Sequence, residues 1–418
     1  MSVSQLAKNL KGSEIIKIAG EINELKKQGH KIANLTIGDF DSTIFPIPDT
    51  LKDGIKKAYD EYHTNYPPAD GIPALRENVS QFLKERYSLD ISVSEIQISS
   101  GSRPLIYATY LALVDPGDKV LYPAPSWNNN HYCDLTAANG VAISATAKNN
   151  FMPSADDIRP HVKGATLLAL CSPLNPTGTM FSKKDLEEIC DLVLEENKSR
   201  TAGEKPLYIL YDQIYSMLTF GEHQHYNPLS LRPEIKDYVI FIDGASKCFA
   251  ATGVRVGWGF GPAAIIEKMK TVIMHMGAWA PKPEQVAMAS FLKDKSSVDS
   301  YLVSFKEKIQ ESLQALFTGF RQLRSEGFAV DAIEPMGAIY LTVKIDYTGK
   351  TTPDGQTLNT SEDINFYLIK EARAAFVPFS AFGTESSVNW FRASVGGCSL
   401  QDITEMLPRI KEALAKLS

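Results

Sequence analysis

The sequence of 418 residues has little of what builds metal sites, disulfide frameworks or membrane spans. It contains five cysteines, no C-x-x-C pair and only seven histidines, of which His223 and His225 alone lie close together. We therefore expect no metal site, and the odd number of thiols is typical of a reducing compartment such as the cytoplasm. The longest apolar run, near Ala165–Leu170, is far shorter than a membrane span, and the first residues lack the apolar core of a signal peptide.

An excess of charge of one sign is also missing. The chain has 43 basic and 49 acidic side chains, which gives a net charge of −6. This balance argues against nucleic acid or an anionic membrane as the main partner, although it permits one local anion site. Hydrophobic residues make up 44% and charged residues 22%, as in globular proteins, and the length corresponds to two or three domains.

Short apolar segments alternate with helical patterns through the middle of the chain. The segments predicted as strands are Ile96–Ser99, Lys119–Tyr122, Val141–Ala145, Thr166–Leu170, Leu207–Tyr211, Val239–Ile242 and Val256–Phe260. Apolar strands separated by helices indicate an α/β fold with a mainly parallel sheet covered on both faces. Ligand sites of such sheets lie at the carboxyl ends of the strands.

The pattern changes after about residue 298. A long helix is predicted from Tyr301 to about Arg324, followed by strand candidates at Ala329–Ile333 and Ile339–Ile345. A helix near Glu362–Ala375, a strand at Trp390–Ser394 and a terminal helix at Gln401–Lys416 complete the chain. This order predicts a second, smaller α+β domain.

Two segments at predicted strand ends combine small residues with a possible anion or amine function. Ser99–Arg103 lies between a strand and a helix, where backbone N–H groups can bind an anion, and an ordinary serine-capped turn is the alternative. Lys247 follows an apolar strand through Asp243–Ser246. A lysine desolvated there would lose its proton near neutrality, as an imine-forming lysine requires, whereas a loop lysine in solvent would not. Arg255 follows eight residues later.

Two further segments place polar side chains at strand ends. Asp212 follows an apolar strand, and Tyr215 comes three residues later. A carboxylate there needs a partner, which is either a helix N-terminus or a cationic ligand atom. In Ser172–Gly178, two prolines flank Asn175, and cis X-Pro bonds would direct its amide over the sheet edge; a plain loop is the alternative.

The order of these segments resembles the class I/II (fold type I) pyridoxal-phosphate aminotransferases, the aspartate aminotransferase-like family. The motifs that carry the resemblance are Ser-Gly-Ser, Ala-Pro-Ser-Trp, Ser-Pro-Leu-Asn-Pro-Thr-Gly, Tyr-Asp-x-x-Tyr, Gly-Ala-Ser-Lys and the later arginines, from Leu35 to Arg392. It implies a large cofactor-binding domain (50–298) with a mainly parallel seven-stranded sheet. The small domain would combine residues 1–49 and 299–418.

The resemblance also implies a role for each matched residue around pyridoxal phosphate. Lys247 would form the internal aldimine, and Asp212 would pair with the pyridinium nitrogen. Tyr215 and Asn175 would hydrogen-bond the phenolic oxygen, and Trp127 would stack on the ring.

The same resemblance assigns the phosphate and the substrate. Gly101, Ser102 and Arg255 would hold the phosphate, the first two through backbone groups. Tyr66 would reach the phosphate of the neighbouring subunit, which implies a homodimer. Three residues would contact the substrate: Gly38, Asn175 and Arg392. Of these, Arg392 would bind the substrate α-carboxylate.

Substrate preference stays open in the sequence. Some relatives bind a distal carboxylate through an arginine in the segment matching 274–284, which here contains none. Others use a lysine matching Ser102, and we expect the adjacent Arg103 to point elsewhere. Lys282 is another candidate cation, whereas Trp279 and Met276 would favour an apolar or aromatic side chain.

The implied activity is ping-pong transfer of an amino group from an L-amino acid to a 2-oxo acid through a Lys247 aldimine. The alternative is a C–S β-lyase or another fold type I enzyme, since these share the same lysine, aspartate and arginine. A third possibility, the effector domain of a transcription regulator, requires an added DNA-binding domain before Leu35, and too few residues precede it.

Overall fold

The computed structural model describes residues 3–10 and 14–418. Its strands are β1 (Ala33–Asn34), β2 (Ile96–Ser99), β3 (Lys119–Ala124), β4 (Asn139–Ser144), β5 (Ala165–Cys171), β6 (Tyr208–Asp212), β7 (Val239–Gly244), β8 (Gly257–Phe260), β9 (Val330–Ala332), β10 (Tyr340–Ile345), β11 (Ala374–Ala375), β12 (Val377–Pro378) and β13 (Trp390–Ser394). Its helices are α1 (Gln5–Asn9), α2 (Glu14–Lys27), α3 (Asp49–Asp60), α4 (Pro73–Tyr87), α5 (Ser102–Leu113), α6 (Asn129–Thr136), α7 (Ala155–Ile158), α8 (Lys183–Ser199), α9 (Pro228–Leu231), α10 (Ala245–Cys248), α11 (Ala263–Met276), α12 (Lys282–Lys293), α13 (Lys295–Ser325), α14 (Ser361–Ala372) and α15 (Leu400–Ala415).

The main sheet has seven strands in the order β2-β8-β7-β6-β5-β3-β4. All neighbours are parallel except β8, which is antiparallel to both β2 and β7. Alternate residues of β5 belong to two different hydrophobic clusters, Leu167 and Ala169 to one and Leu168 and Leu170 to the other. Since alternate side chains point to opposite faces of a strand, both faces of the sheet are covered. The prediction of a mainly parallel seven-stranded α/β sheet is confirmed.

A second sheet is antiparallel, with the order β12-β13-β10-β9. The helices α13 and α15 pack beside it, and their apolar side chains share one hydrophobic cluster with β10 and β13. The predicted helix from Tyr301 begins earlier, at Lys295, because the Asp294 side chain accepts a hydrogen bond from the Ser297 N–H and caps it.

The N-terminal segment joins this second layer. Strand β1 pairs in parallel with β11, so Ala33 lies beside Ala374. The helix predicted to reach Ala375 therefore ends at Ala372, after which Arg373 adopts a left-handed conformation (φ 54°). The division into a large and a small domain stays a prediction, and residues 1, 2 and 11–13 of the expected small domain lie outside the described residues. Within the described ranges, no helix is both long and apolar enough to span a bilayer.

Candidate active site

A cavity of about 410 Å³ opens at the carboxyl ends of β5, β6 and β7. Nine of the eleven residues proposed from the sequence line it: Gly38, Ser102, Trp127, Asn175, Asp212, Tyr215, Lys247, Arg255 and Arg392. They come from both sheets and from the segment after β1, so the cavity lies between the two layers. Of the remaining two, Gly101 precedes Ser102 and contacts Arg255, whereas Tyr66 lies outside the cavity.

Lys247 sits in α10, directly after β7, and is enclosed by the cavity. Its Nζ donates a hydrogen bond to the Gly38 carbonyl oxygen at 2.6 Å. Burial lowers the pKa of Lys247 to about 8, and the charges of Arg392, Arg103 and Arg255 act in the same direction against the opposing effect of Asp39. A substantial fraction of this amine is therefore neutral near physiological pH, as nucleophilic attack requires.

Asp212 is the last residue of β6, and one of its oxygens accepts a hydrogen bond from the Ile214 N–H at 3.1 Å. Burial raises the pKa of Asp212 to about 6, although this hydrogen bond and the attraction of Lys247 oppose the rise. A cationic group placed beside this carboxylate would favour its ionised form. The position therefore suits the protonated nitrogen of a heterocycle.

The N-terminus of α5 and Arg255 together form an anion cradle. Gly101 precedes α5 with φ 88°, and a Cβ built on it would lie 2.3 Å from Arg255 Nη2. The guanidinium is fixed in place by hydrogen bonds to the carbonyls of Thr252 and Ser100, both at 2.7 Å. Backbone N–H groups at a helix N-terminus and one fixed cation favour a phosphate group.

Arg392 is 1% exposed, yet it lines the cavity. Its Nη1 donates to Asn175 Oδ1 at 3.0 Å, and its Nη2 donates to the Thr36 carbonyl at 2.6 Å. The peptide bonds Ser172–Pro173 and Asn175–Pro176 beside it are cis. A buried guanidinium with no carboxylate among these partners can bind the carboxylate of a ligand.

Arg103 corrects one expectation from the sequence. It lies in the first turn of α5 and lines the cavity instead of pointing elsewhere. Its guanidinium carbon is 5.4 Å from the ring centre of Trp127, which also packs at 5.9 Å against Phe382. Arg103 is therefore a third arginine at the cavity, besides Arg255 and Arg392.

Tyr66 is 82% exposed, and its ring contacts the edge of Trp279 at 5.2 Å. It takes no part in the cavity of its own chain. Asp39 and Tyr340 are among the cavity-lining residues that sequence analysis missed. Nearly every residue of β10 is buried, which marks Tyr340 only as a core position, so no local signal distinguishes it.

Comparison with known proteins places this fold and site in one family. The model of the family "Aminotransferase class I and II" matches residues 30–410. A probable aspartate/prephenate aminotransferase of Rickettsia felis is 30% identical over 423 residues, covering 100% of this chain and 97% of the relative.

Solved structures agree with this result. The crystal structure of the aspartate aminotransferase from Rhizobium meliloti superimposes with a TM-score of 0.91 at 25% identity, with full coverage of both chains (100% and 100%). An aromatic aminotransferase from Pyrococcus horikoshii OT3 gives 0.82 at 26% identity, covering 94% of this chain and 98% of that one. The chain belongs to the class I and II aminotransferases. It is an aminotransferase of fold type I, as the resemblance in its sequence implied.

Proposed function

We propose that the protein uses pyridoxal phosphate to transfer the amino group of an L-amino acid to a 2-oxo acid. The family is generally dependent on this cofactor. The observation that carries the proposal is one cavity that combines a readily deprotonated lysine, a buried carboxylate and an anion cradle. When bound, the cofactor supplies an aldehyde for covalent attachment and an electron-withdrawing ring.

The residues present fit this group. Lys247 would bond to the aldehyde, and Asp212 would hold the ring nitrogen in its protonated form. Gly101, Ser102 and Arg255 would bind the phosphate, for which a Cβ at Gly101 would leave no room. Trp127 would cover one face of the ring.

The remaining roles concern the phenolic oxygen and proton transfer. Tyr215 and Asn175 would donate hydrogen bonds to the phenolic oxygen. Once released from the cofactor, Lys247 would accept the proton of the substrate α-carbon and return it on the cofactor side, since its pKa lies near neutrality. The two half-reactions would follow each other in a ping-pong order.

Arg392 would bind the substrate α-carboxylate beside Gly38, and we propose that Arg103 binds a second, distal carboxylate. Arg103 lines the same cavity, and its charge makes a minor contribution to the lowered pKa of Lys247, so it lies near the reacting amine. The relatives named for aspartate support a dicarboxylic donor. Trp127, against which Arg103 packs, would also contact an aromatic side chain.

Exchange of Arg103 for leucine tests this substrate assignment. We expect the kcat/KM for aspartate to fall about 10- to 100-fold, because a hydrogen bond to a charged group is lost, while that for an aromatic donor changes little. Lys282→Leu is the matched control, since Lys282 donates to Asn65 and does not line the cavity. An unchanged aspartate preference in Arg103→Leu would exclude this role.

We also propose a homodimer in the reducing cytoplasm. Tyr66 is exposed in one chain and absent from its cavity, so a neighbouring subunit is the place where it would reach a cofactor phosphate. All five cysteines are free thiols, as in a reducing compartment.

The test of the whole proposal is an assay of purified protein with 2-oxoglutarate and a panel of amino donors. We expect glutamate to form from the preferred donor, and we expect Lys247→Ala to abolish the reaction. Lys282→Ala should retain it. Release of pyruvate and ammonia from cystathionine without any acceptor would instead support a lyase.

A further inference from the structure

Tyr340 links the two sheets at the wall of the cavity. It is the first residue of β10 and is 1% exposed. Its hydroxyl oxygen lies 2.6 Å from that of Tyr215, which follows β6 of the seven-stranded sheet. Its ring centre lies 4.8 Å from the guanidinium carbon of Arg392, on the neighbouring strand β13. One side chain thus contacts both the proposed cofactor side and the proposed substrate side of the site.

The hydrogen bond between the two tyrosines has one direction in the working enzyme. Each hydroxyl has a single proton to donate. If Tyr215 donates to the phenolic oxygen of the cofactor, it must accept from Tyr340. Donation by Tyr340 then polarises the Tyr215 hydroxyl and makes it a stronger donor.

Gly38 provides a second, independent observation. A Cβ built on Gly38 would lie 2.8 Å from the Tyr340 hydroxyl and 3.6 Å from Arg392 Nη1. Any side chain at this position would displace the Tyr340 hydroxyl from its place beside Tyr215. The absence of a side chain at Gly38 therefore leaves room for the hydrogen bond between Tyr340 and Tyr215 as well as for the substrate.

The ring of Tyr340 acts on Arg392. The guanidinium carbon lies 4.8 Å from this ring and 5.0 Å from the ring of Phe382, while Nη1 and Nη2 donate to Asn175 and Thr36. Aromatic faces attract a cation, and more strongly where water is excluded. The two rings and the two hydrogen bonds fix the orientation of the Arg392 guanidinium, which would bind the substrate carboxylate.

We propose that Tyr340 is a positioning residue with two separable parts: its hydroxyl orients Tyr215 toward the cofactor, and its ring orients Arg392 toward the substrate. This inference rests on the proposed function. A stronger hydrogen bond to the phenolic oxygen makes that oxygen a weaker acceptor for the proton on the nitrogen of the lysine–cofactor bond. The Tyr340 hydroxyl therefore lowers the pH at which this nitrogen loses its proton.

The experiment is a spectrophotometric pH titration of the cofactor-loaded enzyme without substrate. We expect Tyr340→Phe to raise the midpoint of the absorption change by about half a pH unit, because only the donor to Tyr215 is removed. Gly38→Ala should shift the midpoint in the same direction. Tyr347→Phe is the control, since this tyrosine follows the end of β10 and its hydroxyl accepts a hydrogen bond from the Ala329 N–H.

The ring is tested by the binding of an unreactive 2-methyl amino acid. We expect Tyr340→Phe to bind it like the wild type, and Tyr340→Leu to bind it about 5-fold or more weakly, because the cation–π contact is lost. An unchanged midpoint in both Tyr340→Phe and Gly38→Ala would overturn the hydroxyl role, and unchanged binding in Tyr340→Leu would overturn the ring role. If the wild type itself shows no absorption band of a bound cofactor, the proposed function fails rather than this inference.

Discussion

Asp243 is a buried acid whose ionisation affects the stability of the fold. It lies in β7, four residues before Lys247, and is 3% exposed. Its oxygens accept hydrogen bonds from Gly244 N at 2.7 Å and from Gln213 Nε2 at 3.1 Å. Burial raises the pKa of Asp243 to about 7, and the charge of Asp212 adds to the effect, so the neutral form dominates in mildly acidic solution.

The pH dependence of stability follows from this raised pKa. Between about pH 4 and pH 7, the unfolded chain has lost the proton of this carboxyl group, whereas the folded protein keeps it. The free energy of unfolding of the cofactor-free protein should therefore fall as the pH rises through this window. Asp212, with its pKa raised to about 6, contributes in the same direction.

Asp243→Asn removes one of these two contributions. We expect thermal unfolding of the cofactor-free variant to depend less on pH, and its midpoint at about pH 8 to exceed that of the wild type by a few degrees. The new amide can keep a hydrogen bond to Gln213 when the Gln213 amide turns over, so that Gln213 Oε1, which has no partner in the described part of the chain, accepts from it in place of the present bond from Nε2. Parallel pH profiles for variant and wild type would show that Asp243 is ionised throughout.

Residues that act through distant partners were the hardest to predict. The motifs identified Lys247 and Asp212 because Asp212 directly follows an apolar strand and Lys247 follows another after four intervening residues. Tyr340 and Tyr215, by contrast, are 125 positions apart, and their contact arises only when the two sheets meet. Arg103 was misjudged because its direction depends on where α5 begins, one residue before it.

At the scale of elements, the strands of the main sheet were predictable and some helices were not. Each of the seven strands lies within two residues of its predicted ends. All except the mostly exposed edge strand β4 are largely buried, and burial on both faces requires continuous apolar runs. Helix α12 was missed because it packs against α3, α4 and α13 and buries residues on most of its circumference. Its sequence therefore lacks the one-sided apolar periodicity by which an amphipathic helix is predicted. Among the helices, α5 contributes its N-terminus to the anion cradle.

Gly101→Ala tests this cradle. We expect about 10-fold or weaker binding of pyridoxal phosphate, measured by titration of the cofactor-free protein, because the new Cβ would displace Arg255. Gly117→Ala is a matched control. Gly117 has nearly the same positive φ (87° against 88°), but a Cβ on it meets nothing within 4 Å.

The comparison separates steric conflict from backbone strain. Both variants lose stability from the positive φ, by about 1 kcal/mol. Only Gly101→Ala should lose cofactor affinity. Equal affinity in the two variants would exclude a phosphate site at the start of α5.

At the scale of the whole molecule, the cavity collects residues from both ends and the middle of the chain. Gly38 follows β1, Lys247 follows β7 and Arg392 lies on β13, so the site exists only when the two layers pack together. The pairing of β1 with β11 brings the N-terminal segment to this place. Whether the layers form separate domains, and whether a second chain completes the site, are predictions at this scale.

Subunit complementation tests whether Tyr66 of one subunit completes the active site of the other. Lys247→Ala lacks the reacting amine, and Tyr66→Ala lacks the group that would serve the neighbouring site. When the two variants are unfolded together and refolded, a mixed dimer would contain one site with both residues intact. We expect recovery of about a quarter of wild-type activity, because half of the dimers are mixed and each has one complete site. No recovery above the separately treated variants would exclude the shared site.

The most direct measurement is reduction of the purified, cofactor-loaded enzyme with borohydride, followed by peptide mapping. Borohydride reduces a carbon–nitrogen double bond to a stable single bond, so the cofactor stays on the residue that held it. The account predicts one labelled residue per chain, Lys247, and no label in Lys247→Ala. Label on a different lysine, or no label in wild-type enzyme that transaminates, would contradict it.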